Sequence, residues 1–272
     1  MKSGLLKYFF FSSLLSVAVS FTSCSESAKE TVKPQEPQTS LVIQFDNVVG
    51  NEDLQLGKTY RNGVGEDFKI DLFQYFISNV VLTTKEGKVF TVPQDSSYFL
   101  IKENRPVTQK VKINKIPAGD YTEIKFMIGI DSLRNTSDAS KRGGVLDVGT
   151  SHEDEEMYWD WNSGYIFVKM EGTSPQINTP NRRFLYHIGG FGGYRSRTIN
   201  NIRTKTLALP ALATVAVGKT PIIHMKVDAL KMFTGKTNVS LAANPSVMFS
   251  NFSVQIADNY VEMFTIPKID NQ

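Results

Sequence analysis

The feature that most constrains this chain is a recurrence of short apolar runs from Leu41 onward, rich in Val, Ile, Phe and Tyr and bounded by Gly, Pro, Asn and Asp. Successive side chains of a strand point to opposite faces, so period-two alternation within such runs reads as strands with one buried face. Leu41 to Phe45 sets Leu41, Ile43 and Phe45 on one face. Phe68 to Ile77 follows, then Asn79 to Thr84 after one polar step, and Lys85-Glu86-Gly87-Lys88 predicts a hairpin turn into Val89 to Val92. Val111 to Ile113 leads through the turn signal Pro117-Ala118-Gly119-Asp120 into a long strand from Tyr121 to Ile130, with Ile124, Phe126 and Ile128 on one face. Tyr165 to Met170, Phe184 to Ile188, Thr204 to Leu209, Thr214 to Val217, Pro221 to Val227 and Val254 to Ala257 complete the set. Short helices are expected only at Ala229 to Phe233 and near Asn259 to Phe264. Many short strands without alternating helices predict an all-β fold, an antiparallel β-sandwich with long aromatic-rich loops. Phe126, Ile128, Phe167 and Val227 are expected in its core. About 230 residues suffice for one such domain, placed at 40–272.

The N-terminus has a different logic. Lys2 and Lys7 precede the uncharged, mostly apolar stretch Tyr8 to Phe21, which is shorter than the ~20 residues a bilayer span needs. A positive start and a short apolar core make a secretory signal. Small Thr22 and Ser23 come just before Cys24, the one cysteine of the chain. No intramolecular disulfide can form, and a thioether to a lipid would consume a thiol otherwise left reactive. Residues 1–23 are therefore expected to be a lipoprotein signal peptide, with Cys24 the lipidation site. Residues 24–39, with Ser, Glu, Lys, Pro and Gln and almost nothing apolar, read as a flexible tether between membrane and domain. Without Lys2 and Lys7 the formal charge falls from +3 to +1, which gives no electrostatic case for nucleic acid.

Between Arg134 and Arg195 the chain stops reading as plain strands. Both tryptophans, Trp159 and Trp161, lie here, flanked by two of the three histidines, His152 and His187. The motifs are Gly129-Ile130-Asp131-Ser132, Gly144-Val145-Leu146-Asp147, Met157-Tyr158-Trp159-Asp160-Trp161-Asn162-Ser163-Gly164-Tyr165, Lys169-Met170-Glu171-Gly172 and Phe184-Leu185-Tyr186-His187-Ile188-Gly189. Met248-Phe249, Ala257-Asp258-Asn259-Tyr260 and Met263-Phe264 follow near the end. In these motifs the chain resembles the MbnP-like copper-binding proteins, extracytoplasmic and often lipidated, over most of residues 41–266. The resemblance implies a β-sandwich and copper binding or handling outside the cytoplasm. It further implies that a tryptophan can be oxidised to kynurenine and ligate copper beside histidines, an oxidation that depends on a haem-containing partner protein.

Read without the resemblance, the ligand chemistry is thinner. Imidazole suits copper and thioether sulfur selects Cu(I), so His152, His187 and His224 are candidates, with Met157 and Met225 as softer ones. An intact indole only donates, so Trp159 and Trp161 serve equally as large core residues. His187 shares a strand face with Leu185, and His224 shares one with Lys226 and Asp228, so each also reads as a structural or solvent-facing residue. His152 opens the acidic run Glu153-Asp154-Glu155-Glu156, which is either a solvated loop or a weak cation trap. Asp131, Asn135, Asp138 and Asp147 offer oxygen donors to a structural calcium ion, or cap turns as Asx residues do. No Gly-x-Ser-x-Gly elbow is present, and Gly189-Gly190-Phe191-Gly192-Gly193 lacks a P-loop lysine. The chain is thus expected to be a non-catalytic, lipid-anchored protein of a bacterial cell envelope, periplasmic or surface-facing, that binds copper through His187, His224 or His152 with Trp159 and Trp161. The alternative is a surface lipoprotein whose Tyr158, Trp159, Trp161 and Tyr165 form an exposed platform for a carbohydrate or protein partner.

Overall fold

The computed structural model describes residues 39–148, 157–159 and 164–272. Their strands are, in chain order, β1 (Ser40–Val49), β2 (Glu52–Asp53), β3 (Thr59–Arg61), β4 (Asp67–Thr84), β5 (Val89–Thr91), β6 (Tyr98–Lys102), β7 (Lys110–Asn114), β8 (Gly119–Ile128), β9 (Tyr158–Trp159), β10 (Gly164–Thr173), β11 (Arg183–Gly189), β12 (Arg203–Val215), β13 (Ile222–Asp228), β14 (Ser246–Val247) and β15 (Phe264–Asp270). Two short helices join them, α1 (Ser132–Asn135) and α2 (Asn251–Tyr260).

The strands form two sheets. The smaller runs β15-β13-β1-β2 with β7 also on β1; the larger runs β12-β8-β4-β10-β11-β14, with β3, β5 and β6 on β4 and β9 on β10. The expected sandwich is what the chain forms, and Phe126, Ile128, Phe167 and Val227 are all buried. Pairing is antiparallel except for β1 with β13 and β11 with β14, which run parallel. The two sheets meet through aromatic edges. The Tyr75 ring of β4 lies 6.2 Å from Phe45 of β1 and 5.8 Å from Phe264 of β15. Phe126 of β8 lies 5.2 Å from Phe264. Each such pair contributes about 0.5–1.5 kcal/mol beyond the area it buries.

The two runs expected at 68–77 and 79–84 are one 18-residue strand, β4. Asn79 absorbs the irregularity with φ of 53°, where the ladder to β8 slips between Ser78 and Val81. Asn tolerates that left-handed conformation better than most residues. The runs at 204–209 and 214–217 likewise join as β12, with an irregularity between Ala208 and Ala213. The strand expected at Val254 to Ala257 is corrected: these residues belong to α2. Ser253, Ile256, Ala257 and Tyr260 are buried along the i, i+3, i+4, i+7 stripe of a helix, with Asn259 buried beside it. The helix expected near Asn259 to Phe264 ends in a turn at Val261–Met263, and Phe264 opens β15 instead.

One property of the larger sheet prepares the site. Along β4 the residues from Phe73 to Ser78 are buried on both faces, and β10 is buried throughout Gly164 to Met170. A strand covered on one side alternates; these do not, so a second layer must lie on the outer face. That layer is a separate apolar cluster of Phe76, Ile130, Leu146, Met157, Trp159, Tyr165, Ile166 and Phe167.

Candidate functional site

Strand β11 sends Phe184, Tyr186 and Ile188 into the core between the sheets, which turns Leu185 and His187 to the covered outer face. There His187 stands opposite Lys169 of β10, Lys169 opposite Gln74 of β4, and Gln74 opposite Lys102 of β6. Gln74, Lys102 and Lys169 are buried. Among the described residues the Gln74 side-chain nitrogen has no hydrogen-bond partner. This polar row lies on the same outer face as the second apolar cluster.

The His187 Nε2 lies 2.8 Å from Glu171 Oε1. The other carboxylate oxygen accepts from Arg183 at 2.7 Å, and the Lys169 ammonium stands 3.6 Å from Oε1. The His187 hydrogen bond, with Lys169 and Arg183 beside it, holds the Glu171 carboxyl below its ordinary range even though burial pushes the other way.

Trp159 is buried. Its strand β9 pairs Trp159 with Gly164, and its indole lies against Gly189, two residues beyond His187 on β11. A Cβ at Gly189 would come within 2.8 Å of Trp159 Cζ3 and 2.4 Å of the Tyr165 carbonyl oxygen, so glycine alone admits this approach. Phe249 packs edge-on against the indole at 6.2 Å. Tyr165 is buried too, its hydroxyl donating to the Leu146 carbonyl and its ring 5.7 Å from Phe76. Burial pushes the Tyr165 phenol up to about 12. The Arg142 guanidinium lies over the Tyr158 and Tyr165 rings at 5.4 and 5.8 Å. With Trp159 and Tyr165 buried and Tyr158 half-buried, these rings offer no open platform for a sugar.

His224 lies elsewhere. Ile223, Met225 and Val227 of β13 point into the core, so His224 faces outward from the smaller sheet, with Nε2 2.7 Å from Asp270 Oδ2. Lys268 shares that carboxylate at 3.0 Å. The two sheets of a sandwich pack ~10 Å apart, and outward residues of different sheets are farther apart still. The preference for His224 as the imidazole completing a site with His187 is therefore corrected. His152, Trp161 and Cys24 lie outside the described residues, as do the signal segment and the tether up to residue 38. Among the described residues, no group of three or more His, Cys, Asp and Glu stands ready to hold a metal ion.

Of the oxygen donors weighed for calcium, Asp131 and Asp138 cap helical turns. Asp131 accepts from the Arg134 amide at 2.9 Å and from the Tyr98 hydroxyl at 2.5 Å. Burial, then this contact with Asp131, pushes the Tyr98 phenol up to about 12. Asn135 donates to the Ile130 carbonyl at 2.7 Å and accepts from the Tyr165 amide at 3.1 Å. Asp138 accepts from the Ser140 amide at 2.9 Å. Asp147 also has an interaction partner. Beside α1 opens a cleft of ≈ 780 Å³ lined by Tyr98, Leu133, Arg134 and Lys141, among others. Arg134 is already committed to Asp95, Tyr98 and the Lys141 carbonyl.

Sequence reasoning placed His187 on one strand face with Leu185 but missed its partner. Glu171 was in view within Lys169-Met170-Glu171-Gly172, and alternation from Lys169 puts it on the same face. Gly189 was visible as the end of the Phe184 to Gly189 motif and the start of a glycine-rich loop, and neither announced the close approach of Trp159.

A family model described as MbnP matches residues 38–249. Among solved structures, MbnP from Methylosinus trichosporium is similar with a TM-score of 0.51 and 13% identity, over 86% of this chain and 99% of that one. At that identity the likeness is one of fold. A comparison with curated proteins finds no match.

Proposed function

This chain belongs to the MbnP family, and from that premise we propose that it is a copper-associated, non-catalytic protein working outside the cytoplasm. The observation that carries the proposal is His187 on a covered face, paired with Glu171 at 2.8 Å, with the Trp159 indole packed two residues along the same strand. Imidazole is a good copper donor. An intact indole is not a ligand, because its nitrogen only donates. In this reading His187 is one arm of a copper site. The other donors would come from His152 or Trp161, or from a tryptophan oxidised to kynurenine by a haem-containing partner. Bound copper would supply a cation that takes imidazole nitrogen; the chain's own part is to hold and orient that nitrogen and to exclude water with the apolar cluster around Trp159.

The same reading assigns residues 1–23 to a lipoprotein signal and Cys24 to the lipid, anchoring the domain in a bacterial cell envelope. Cys24→Ser is expected to release the domain into the soluble fraction or leave it unprocessed. A variant that stays acylated and membrane-bound would refute the anchor.

Titration with Cu(I) under a competing chelator tests the copper reading. His187→Ala is expected to weaken binding at least tenfold, on the order of the 1.4 kcal/mol that a tenfold change represents. His224→Ala is expected to bind as wild type. No binding by wild type, or equal affinity in all three proteins, refutes it.

A further inference from the structure

We propose that Glu171 is the positioning residue of the His187 ligand: it takes the Nε2–H of the ring and leaves Nδ1 as the nitrogen offered to copper. The inference rests on the copper reading above. A neutral imidazole carries one N–H and one lone pair, and which nitrogen holds which is set by the hydrogen bond the ring makes. An ionised carboxylate only accepts, so the 2.8 Å contact to Oε1 makes Nε2 the donor. Glu171 is not placed to bind copper itself. Oε1 serves His187 and Lys169, and Oε2 serves Arg183 at 2.7 Å. A carboxylate held by three basic side chains is a poor ligand for a further cation and a good fixed acceptor. Carboxylate–imidazole pairs are the usual means by which metal-binding histidines are held in one tautomer and one ring orientation.

The second histidine gives a control within the molecule. His224 and Asp270 repeat the contact at 2.7 Å, also with a lysine on the carboxylate. Their side chains are 23% and 39% exposed, against 15% and 17% for His187 and Glu171. Among the described residues, the buried indole of Trp159 lies on the His187 strand, against Gly189, and not on the strands of the His224 pair.

The test combines two readouts on the full folded protein. Nitrogen-15 NMR of the metal-free protein, with the ring neutral, reports the His187 tautomer. Chelator competition with Cu(I) reports affinity, for wild type, Glu171→Ala, Glu171→Gln, His187→Ala and Asp270→Asn. Wild type is expected to hold the Nε2–H tautomer. Glu171→Ala is expected to show mixed tautomers and about 10- to 100-fold weaker copper binding, the usual cost of losing such a partner. Glu171→Gln keeps the size and one acceptor oxygen, covers the case in which the alanine variant does not fold, and is expected to lose less. Asp270→Asn is expected to match wild type. An Nδ1–H tautomer in wild type overturns the proposal. So does a Glu171→Ala or Glu171→Gln protein that binds copper as wild type while His187→Ala does not; there the copper reading stands and the positioning role alone fails. Should wild type bind no copper while showing the Nε2–H tautomer, the copper reading is what fails, and the positioning role falls with it.

Discussion

On the outer face of the larger sheet His187 pairs with Glu171 at 2.8 Å; on the outer face of the smaller sheet His224 pairs with Asp270 at 2.7 Å. Each carboxylate stands two residues after a lysine, Lys169 or Lys268, that shares it. The contacts match, and the surroundings do not. The first pair sits in a polar row with buried Gln74, Lys102 and Lys169, on the face that carries Trp159 and its apolar neighbours. The second sits on a face of its sheet where, among the described residues, the outward positions of β13 are half-buried. An ion pair in water is worth ~0–1 kcal/mol, because screening and side-chain entropy offset the attraction. Breaking a buried one costs about 3–5 kcal/mol, because it strands a charge. The lesson is that a histidine and a carboxylate in register do not make a site; what lies over them decides.

The largest effect is expected from Gly189→Ala. Its Cβ would meet the Tyr165 carbonyl oxygen and the Trp159 ring, both held by the cluster, so the indole must move. A loss of about 3 kcal/mol is expected from such overpacking, with a changed tryptophan emission spectrum. His224→Ala on the smaller sheet is expected within about 0.5 kcal/mol of wild type. Equal thermal midpoints for the two variants would mean that the cover is not seated tightly on β11.

Next comes the direct contrast of the carboxylates. Glu171→Ala removes the shared partner of Lys169, Arg183 and His187 from a largely covered site, and about 2–3 kcal/mol is expected, below the range for a fully buried pair because Arg183 reaches solvent. Asp270→Ala lies at an exposed pair and is expected to cost under ~1 kcal/mol. Urea midpoints measure both. Costs that agree would erase the distinction between the faces.

The smallest effect is in alkali. Tyr98 and Tyr165 both border the covered face, and their phenols are pushed up to about 12. A folded-state value above the unfolded value of ~10 favours folding while the phenol is neutral. That contribution is full below pH ~10 and is lost as the pH rises toward 12. Tyr165→Phe removes one such group, so its stability is expected to fall less between about pH 9 and about pH 11.5 than that of wild type. An unchanged slope would place the alkaline sensitivity elsewhere, for example on Tyr186 and Tyr260 of the main core, whose phenols burial also raises.

Much of this contrast could be read from the chain, and the missing part has a physical cause. Alternation at Leu41, Ile43 and Phe45, and at Ile124, Phe126 and Ile128, revealed the faces of β1 and β8 because each strand has one solvent-side row. Alternation also set His187 on one face with Leu185 and His224 on one face with Lys226 and Asp228. It carries no information on which sheet a strand joins, so the two histidines could be imagined together although β11 and β13 lie in different sheets. The Glu171–His187 contact depends on register between β10 and β11, which is fixed by pairing over the whole ladder. Val254 to Ala257 failed for a simpler reason: four residues are too few to separate period 2 from period 3.6, and the helical stripe emerges only from Ser253 to Tyr260.

The length of β4 has a kinetic consequence. It ladders with β3, β5, β6, β8 and β10. Its partners β5, β6 and β8 are close in sequence, whereas β10 begins only at Gly164. Closing that loop costs chain entropy before any contact repays it, and such distant pairings slow folding. The platform beneath His187 needs β10 on β4 and β11 on β10, so it can be complete only after that late step. During refolding, amide protection along β5 and β8 should therefore appear before protection along β10 and β11.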